Sequence, residues 1–398
     1  GGAAVTHWPA VRLWVDQVNK AGGLTLAGGV KATIELIEAD DGTNPQQAIQ
    51  AAQRLATQDR VDFMVAPYST GLNLAAAPIF DRLGYPQITG TAVTNQQPEL
   101  AKQFGNMFFV LGRTGVMAED TAATRVALRD AGAIGNRVAL VNVADAFGIE
   151  MRGISRGVLQ AAGFEIVYKT SYPLGTQDVA PIIDAAKAAN PDAFIAWSYP
   201  GDTFALTDQA IVQGFAPKVF FTAVATAFPG YGARFGANAE GVMGMGGVNV
   251  DDPKFKAFAE AHTALNGQGP DFWASAATYA TLEILGQAIE ATGSKDRATV
   301  MAYLRDRSNS YDTVLGPVEF NENNDNERYW TVGQWQGGAV RGVAARGRDG
   351  AVPVILKDGW QQARRNGRRS GGPPPFSPDR VAACSSSSPA FCWAVPMR

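Results

Sequence analysis

Short apolar runs alternate with helical repeats over most of this 398-residue chain, and that alternation restricts the fold more than any single motif. Arg137 to Val143 (RVALVNV) is almost continuously apolar, as a strand must be when both faces of its sheet are covered. Similar runs recur as VDFMV at 61–65, YPQIT at 85–89, NMFFVLG at 106–112, FEIVYKTSY at 164–172, DAFIAWS at 192–198 and KVFFTA at 218–223. Helical patterns lie between them, at about 117–131, 148–162, 179–189 and 203–213. Strands alternating with helices in this way predict an α/β protein with parallel, doubly wound sheets. The strands are too many for one such sheet, which predicts two.

The first part of the chain follows the same rule. Val11, Trp14, Val15 and Val18 recur at helical spacing, and ATIELIEADD at 32–41 reads as a strand. Asn44-Pro45 then opens a helix, with an N-cap residue followed by proline at the first helical position. Ala48, Ala51, Ala52 and Leu55 would be its buried stripe. After Val242 the character changes to two successive helices and then to short antiparallel strands within YDTVLGPVEFNENNDNERYWTVGQWQGG. From 361 to 398 periodicity ends in arginine, proline and serine clusters, which predicts a tail without fixed structure.

Composition excludes several functions. Lys and Arg number 34 against 37 Asp and Glu, so no basic footprint for nucleic acid exists. Both cysteines, Cys384 and Cys392, fall in the tail, and only His7 and His262 are available as imidazoles. The folded part therefore offers no cysteine nucleophile and no cysteine or histidine metal cluster, and no cofactor is expected. No apolar run is long enough to span a membrane.

The chemistry concentrates where strands hand over to helices. Tyr68, Ser69 and Thr70 follow the 61–65 strand, and Thr89-Gly90-Thr91-Ala92 follows the 85–89 strand. Ligands of doubly wound sheets bind outside the carboxyl ends of strands. Hydroxyls there can cap a helix, act as nucleophile, or hold an anion with the free amides of the helix end. The nucleophile reading is the weakest. Ala-Pro-Tyr-Ser-Thr-Gly departs from the G-x-S-x-G elbow, and the base would have to be His7 or His262. No catalytic residue is therefore expected. A serine hydrolase nonetheless stands as a third reading.

In order and spacing, RLWVDQVNKAGGL, ELIEADDGTNPQQAIQAAQRL, VDFMVAPYSTGLNLAAAPIFDRLGYPQIT, DAFGIEMRGI, NAEGVMGM and WASAATYATLEILGQAIEATG resemble the type I periplasmic solute-binding proteins of ABC importers, specifically the leucine/isoleucine/valine-type receptors. The resemblance covers about residues 10 to 345. It implies two α/β lobes joined by three chain crossings, the first comprising 1–113 plus 247–320 and the second 114–246 plus 321–356. A small ligand would lie between them. By position, Ser69, Thr70, Thr91 and the backbone of Ala92 would clamp its carboxylate, beside Tyr68. Phe147 and Tyr199 fall where the family places aromatic contacts. Asp202 would accept from an ammonium group or cap the helix at Thr203. Ala225 stands where branched-chain receptors carry a glutamate for the ammonium.

The resemblance further implies an extracytoplasmic location, a membrane permease as partner, and no reaction. The implied ligand is a small carboxylate-bearing metabolite, an amino acid foremost. The alternative reading is a ligand-sensing regulator of the same fold, taking an amide or an aromatic acid. No signal peptide precedes Gly1-Gly2-Ala3-Ala4, and a mature secreted chain also lacks one. Family members normally begin with a strand that ends in a Thr-Gly-type loop. Here that strand is absent, which is expected to leave an unpaired ladder inside the first sheet.

Overall fold

The computed structural model describes residues 2–246, 250–327, 332–344, 351–361 and 391–395. Its largest unit is a seven-stranded sheet. In spatial order the strands are Ala339–Ala344, Val332–Gln336, Met243–Met245, Val219–Ala223, Ala193–Trp197, Arg137–Val143 and Glu165–Tyr172. The last five run parallel, and the first two pair antiparallel at one edge. The sheet is thus a mixed one: a parallel, doubly covered core follows the alternation, and the edge comes from the late antiparallel strands. All residues of Ala193–Trp197 and Val219–Ala223 are buried, which explains their lack of polar alternation. Helices Thr114–Asp130, Ala146–Ala161, Ala180–Ala188 and Pro200–Gln213 cover the faces.

The remainder is built on smaller sheets. Gln87–Thr89 pairs parallel with Met107–Phe109. Ile37–Asp40 and Phe63–Val65 do not pair with each other. The strand Phe391–Val395 lies between them, antiparallel to both. The ladder expected to stand open is therefore filled by a segment more than three hundred residues away in the chain. Of the tail expected to lack structure, residues 362–390 and 396–398 lie outside the described residues.

Helices pack around these strands. Pro45–Thr57 starts at Asn44, whose side chain accepts from the Gln46 and Gln47 amides, and it buries Ala48, Ala51, Ala52 and Leu55. Gly2–Lys20 packs along Ala274–Thr292, whose Gly286 leaves room for the Trp14 ring. A Cβ at Gly286 would come within 2.8 Å of that ring.

The two parts meet where the chain passes between them. The Phe109 amide donates to Asn324 O at 2.8 Å, and the Asn326 amide donates back to Phe109 O at 3.0 Å. Arg113 forms ion pairs with Asp325 at 3.2 Å and Glu327 at 3.1 Å. Asp325 is 1 % exposed, and burial raises its pKa to about 7 against the opposing pull of Arg113. The crossing expected at 246–247 reaches residues 247–249, which lie outside the described residues.

Candidate functional site

One wall of the site is the turn after Phe63–Val65. Helix Thr70–Arg82 begins there, with Ser69 as N-cap and the Ser69 Oγ accepting from the Leu72 amide at 3.4 Å. Ser69 adopts φ 82 and ψ 155, a region that is essentially glycine's. Its surroundings impose this conformation. The Ser69 amide donates to Thr91 Oγ1 at 3.2 Å, and the Asn73 side chain donates to Pro67 O at 2.6 Å and to Ser69 O at 2.8 Å. The Thr70 hydroxyl donates to Val93 O at 3.0 Å and accepts from the Val93 amide at 3.1 Å. Thr70 thus pins the second strand-end loop to the first. The first-turn amides of the helix have no intrahelical carbonyl to bond, and the helix dipole adds partial positive charge there.

The facing wall comes from the seven-stranded sheet. Phe147 sits in the first turn of Ala146–Ala161, its ring 5.8 Å from that of Tyr199 and 6.1 Å from that of Trp197. The Tyr199 hydroxyl donates to Asp145 Oδ2 at 2.8 Å. Burial, and next the Asp145 carboxylate, push the Tyr199 pKa well above its ordinary value. Tyr199 therefore stays a neutral hydroxyl.

Between the walls lies a small cavity of about 10 Å³, roughly the size of one water, lined by Tyr68, Ser69, Thr70, Thr91, Phe147 and Tyr199, together with Val93, Leu111, Val224, Met245 and Trp273. It adjoins a larger cleft of about 380 Å³ that also touches Tyr68, Ser69 and Tyr199 and carries Asp145 and Asp202. The Tyr68 hydroxyl is buried and has no hydrogen-bond partner among the described residues. Burial pushes its pKa upward, with Asp271 adding to the shift.

Six of the nine residues singled out from the sequence therefore line the small cavity. Three do not. Ala92 packs with Ala77, Leu100, Met107 and Phe109, and its amide is already donated to Thr89 Oγ1 at 2.9 Å. Its neighbour Val93 reaches the wall instead. Ala225 is fully buried in a 3-10 turn, and its neighbour Val224 faces the cavity. Asp202 borders only the larger cleft. It accepts from the Tyr199 amide at 3.1 Å and the Tyr172 hydroxyl at 3.2 Å, forming half of a capping box.

Leu111, Met245 and Trp273 escaped the sequence reading, because apolar residues distant in sequence carry no motif. For Trp273 one cue existed. Asp271 two residues earlier caps helix Ala274–Thr292, accepting from the Trp273 and Ala274 amides through Oδ1 and from Ser275 through Oδ2.

Neither histidine serves Ser69. His7 Nδ1 lies 3.2 Å from Thr6 Oγ1 and 3.1 Å from Thr278 Oγ1, and burial lowers its pKa to about 3. His262 is buried with Nδ1 against Gln268 O at 2.9 Å. Among the described residues, no group of three or more His, Cys, Asp or Glu side chains converges to hold a metal ion. None of the described helices is long and apolar enough to cross a membrane.

Sheet-end loops that meet over a cavity, with hydroxyls on one wall and aromatics on the other, are the layout of a small-molecule binding protein. A family model described as periplasmic binding protein matches residues 3–339, and the chain belongs to that family. A Leu/Ile/Val-binding protein homolog 8 from Brucella abortus (strain 2308) is 25% identical over 352 residues, 83% of each chain. Two solved structures share the fold. One is the branched-chain amino acid transporter substrate-binding protein LivJ from Streptococcus pneumoniae in complex with isoleucine, with TM-score 0.73 and 20% identity over 87% of this chain and 93% of that one. The other is an ABC-transporter solute-binding protein from R. palustris in complex with benzoate, with TM-score 0.72 and 17% identity over 89% and 94%. These relatives are substrate-binding proteins, and the protein is not an enzyme.

Proposed function

We propose that this protein is the extracytoplasmic substrate-binding component of an ABC importer and that it carries a small carboxylate-bearing metabolite to a membrane permease. The observation that carries the reading is the convergence of the Ser69 and Thr91 hydroxyls and the N-terminus of Thr70–Arg82 on one cavity. Amides and hydroxyls held in place before the ligand arrives bind a carboxylate without an arginine. Phe147 and Tyr199 cover the other side of the ligand. Isoleucine and benzoate, the ligands of the two solved relatives, both present a carboxylate beside an apolar body.

On this reading residues 1–113 plus 247–320 and residues 114–246 plus 321–356 are lobes that close on the ligand. Closure is driven by the ligand's preference for the closed state, where both walls contact it. A Kd near micromolar corresponds to about −8 kcal/mol, within reach of a few charge-assisted hydrogen bonds and an apolar contact. Titration calorimetry with small carboxylic acids and their neutral amides tests the reading. The acids are expected to bind and the amides to bind at least tenfold more weakly. Equal affinity for both would sink the carboxylate clamp.

A further inference from the structure

On the reading that the two parts close on a ligand, we infer that Glu150 and Asn95 are positioning residues. They clasp the two walls of the site from outside and set how tightly the protein holds whatever it binds. Neither residue lines the inner cavity or the larger cleft.

Glu150 stands one turn beyond Phe147 in helix Ala146–Ala161, and residues three apart share a helix face. Phe147 lines the cavity, while Glu150 reaches to another part of the chain. Its Oε1 accepts from the Asn95 backbone amide at 2.6 Å and from the Thr114 hydroxyl at 3.1 Å. Asn95 belongs to the loop whose Thr91 and Val93 line the same cavity. One carboxylate oxygen thus joins the loop that carries Thr91 and Val93 to the helix that carries Phe147.

The Asn95 side chain makes a second tie. Helix Thr114–Asp130 starts at Arg113, whose guanidinium cannot accept, so it has no side-chain cap of its own. The Gly115 amide in its first turn donates instead to Asn95 Oδ1 at 2.7 Å. A Cβ at Gly115 would lie 2.9 Å from that oxygen, so glycine is what admits the approach. Two neutral bonds also join the proposed parts, from the Phe272 amide to Ala227 O at 3.1 Å and from the Trp273 indole to Val224 O at 3.3 Å. Hydrogen bonds to a carboxylate are roughly twice as strong as neutral ones, so each Glu150 bond counts for more. Bonds made only when the walls meet favour closure, and affinity falls by the factor that the closed population loses.

Calorimetry on the full chain with benzoate and with isoleucine reads the clasp. Glu150→Ala is expected to weaken both by the same factor, about tenfold or more, and Glu150→Gln, whose amide oxygen still accepts, to restore most of the loss. Gly115→Ala displaces the Asn95 side chain. It is expected to weaken both ligands about threefold while the melting temperature holds or rises, because alanine favours a helix over glycine. An unchanged Kd in folded Glu150→Ala, or a loss for one ligand and not the other, would overturn the inference. Small-angle scattering by the ligand-free chain reads closure directly. Both alanine variants are expected to enlarge the radius of gyration, and curves identical to that of the native chain would overturn the inference. Because scattering needs no ligand, it decides the clasp even where neither benzoate nor isoleucine binds, a result that would count against the carboxylate reading alone.

Discussion

The two walls of the cleft rest on different kinds of sheet. The aromatic wall grows from five consecutive parallel strands whose central members are buried throughout, so Phe147 and Tyr199 stand on a continuous hydrogen-bonded platform. The hydroxyl wall grows from strands of three or four residues, two of which are joined only through Phe391–Val395. The weaker platform compensates with side chains. Asn73, Thr91 and Thr70 tie the loops at Ser69 and Val93 together, one hydrogen bond at a time. The difference shows two ways of holding a binding group still: through sheet pairing, or through a local net of polar side chains.

The hydroxyl wall is the place to break that contrast. Ser69→Ala with Thr91→Val removes both a ligand contact and the tie to the Ser69 amide. Carboxylate affinity should fall about a hundredfold, roughly 3 kcal/mol at 1.5–3 kcal/mol per charge-assisted bond. Calorimetry that finds an unchanged Kd would mean this wall does not hold the ligand. Removing the chain beyond Gln361 should cost about 2 kcal/mol, because Glu38 and Val65 lose the strand that pairs them. Thermal unfolding would show a drop of several degrees. Hydrogen exchange should quicken at 37–40 and 63–65 but stay slow at 193–197. Equal change in both sheets would erase the contrast between the two platforms.

The seam between the parts has a pH signature. The Asp325 pKa rises to about 7 in the folded chain, from near 3.9 in an unfolded one. The folded state therefore binds this proton more tightly. Its contribution is fully present below about pH 4 and is lost as pH rises through 7. Relative to Asp325→Asn, the native chain should lose at least about 1 kcal/mol of stability between pH 4 and pH 8. Chemical denaturation at several pH values measures it, and parallel pH curves for the two proteins would refute the assignment. The smallest effect is expected at Ser69→Gly, which relieves the positive φ. Stability should rise by about 0.5–1 kcal/mol while carboxylate affinity falls about tenfold. A fall in both would show that the hydroxyl's own cap bond outweighs the strain.

Much of the fold could be read from residue order. The nearly unbroken apolar runs at 137–143 and 193–197 could be little else than covered strands, and Asn44-Pro45 marked its helix to the residue. The site was legible at its polar end, because hydroxyls at a strand-to-helix turn have a local reason to be there. Its apolar end was not. Val93 rather than Ala92, and Val224 rather than Ala225, reach the cavity, a displacement of one residue each. Beyond a strand the strict two-residue alternation lapses, so sequence position no longer tells which side chain turns inward. Met245 and Trp273 meet only through tertiary folding. The strand Phe391–Val395 was hidden for a different reason, since five residues after a long aperiodic stretch announce no partner.

The bonded passages at the seam fix more than a distance. Phe109 to Val110 and Asn324 to Asn326 run side by side, cross-linked through their backbones and through the Asn326 side chain on Val110 O. Two ribbons joined edge to edge flex readily across their flat face and resist shearing within it. The cleft would then work as a book does on its spine. If the two parts close on a ligand as proposed, its pages would part along one line, and the same two faces would come back into register.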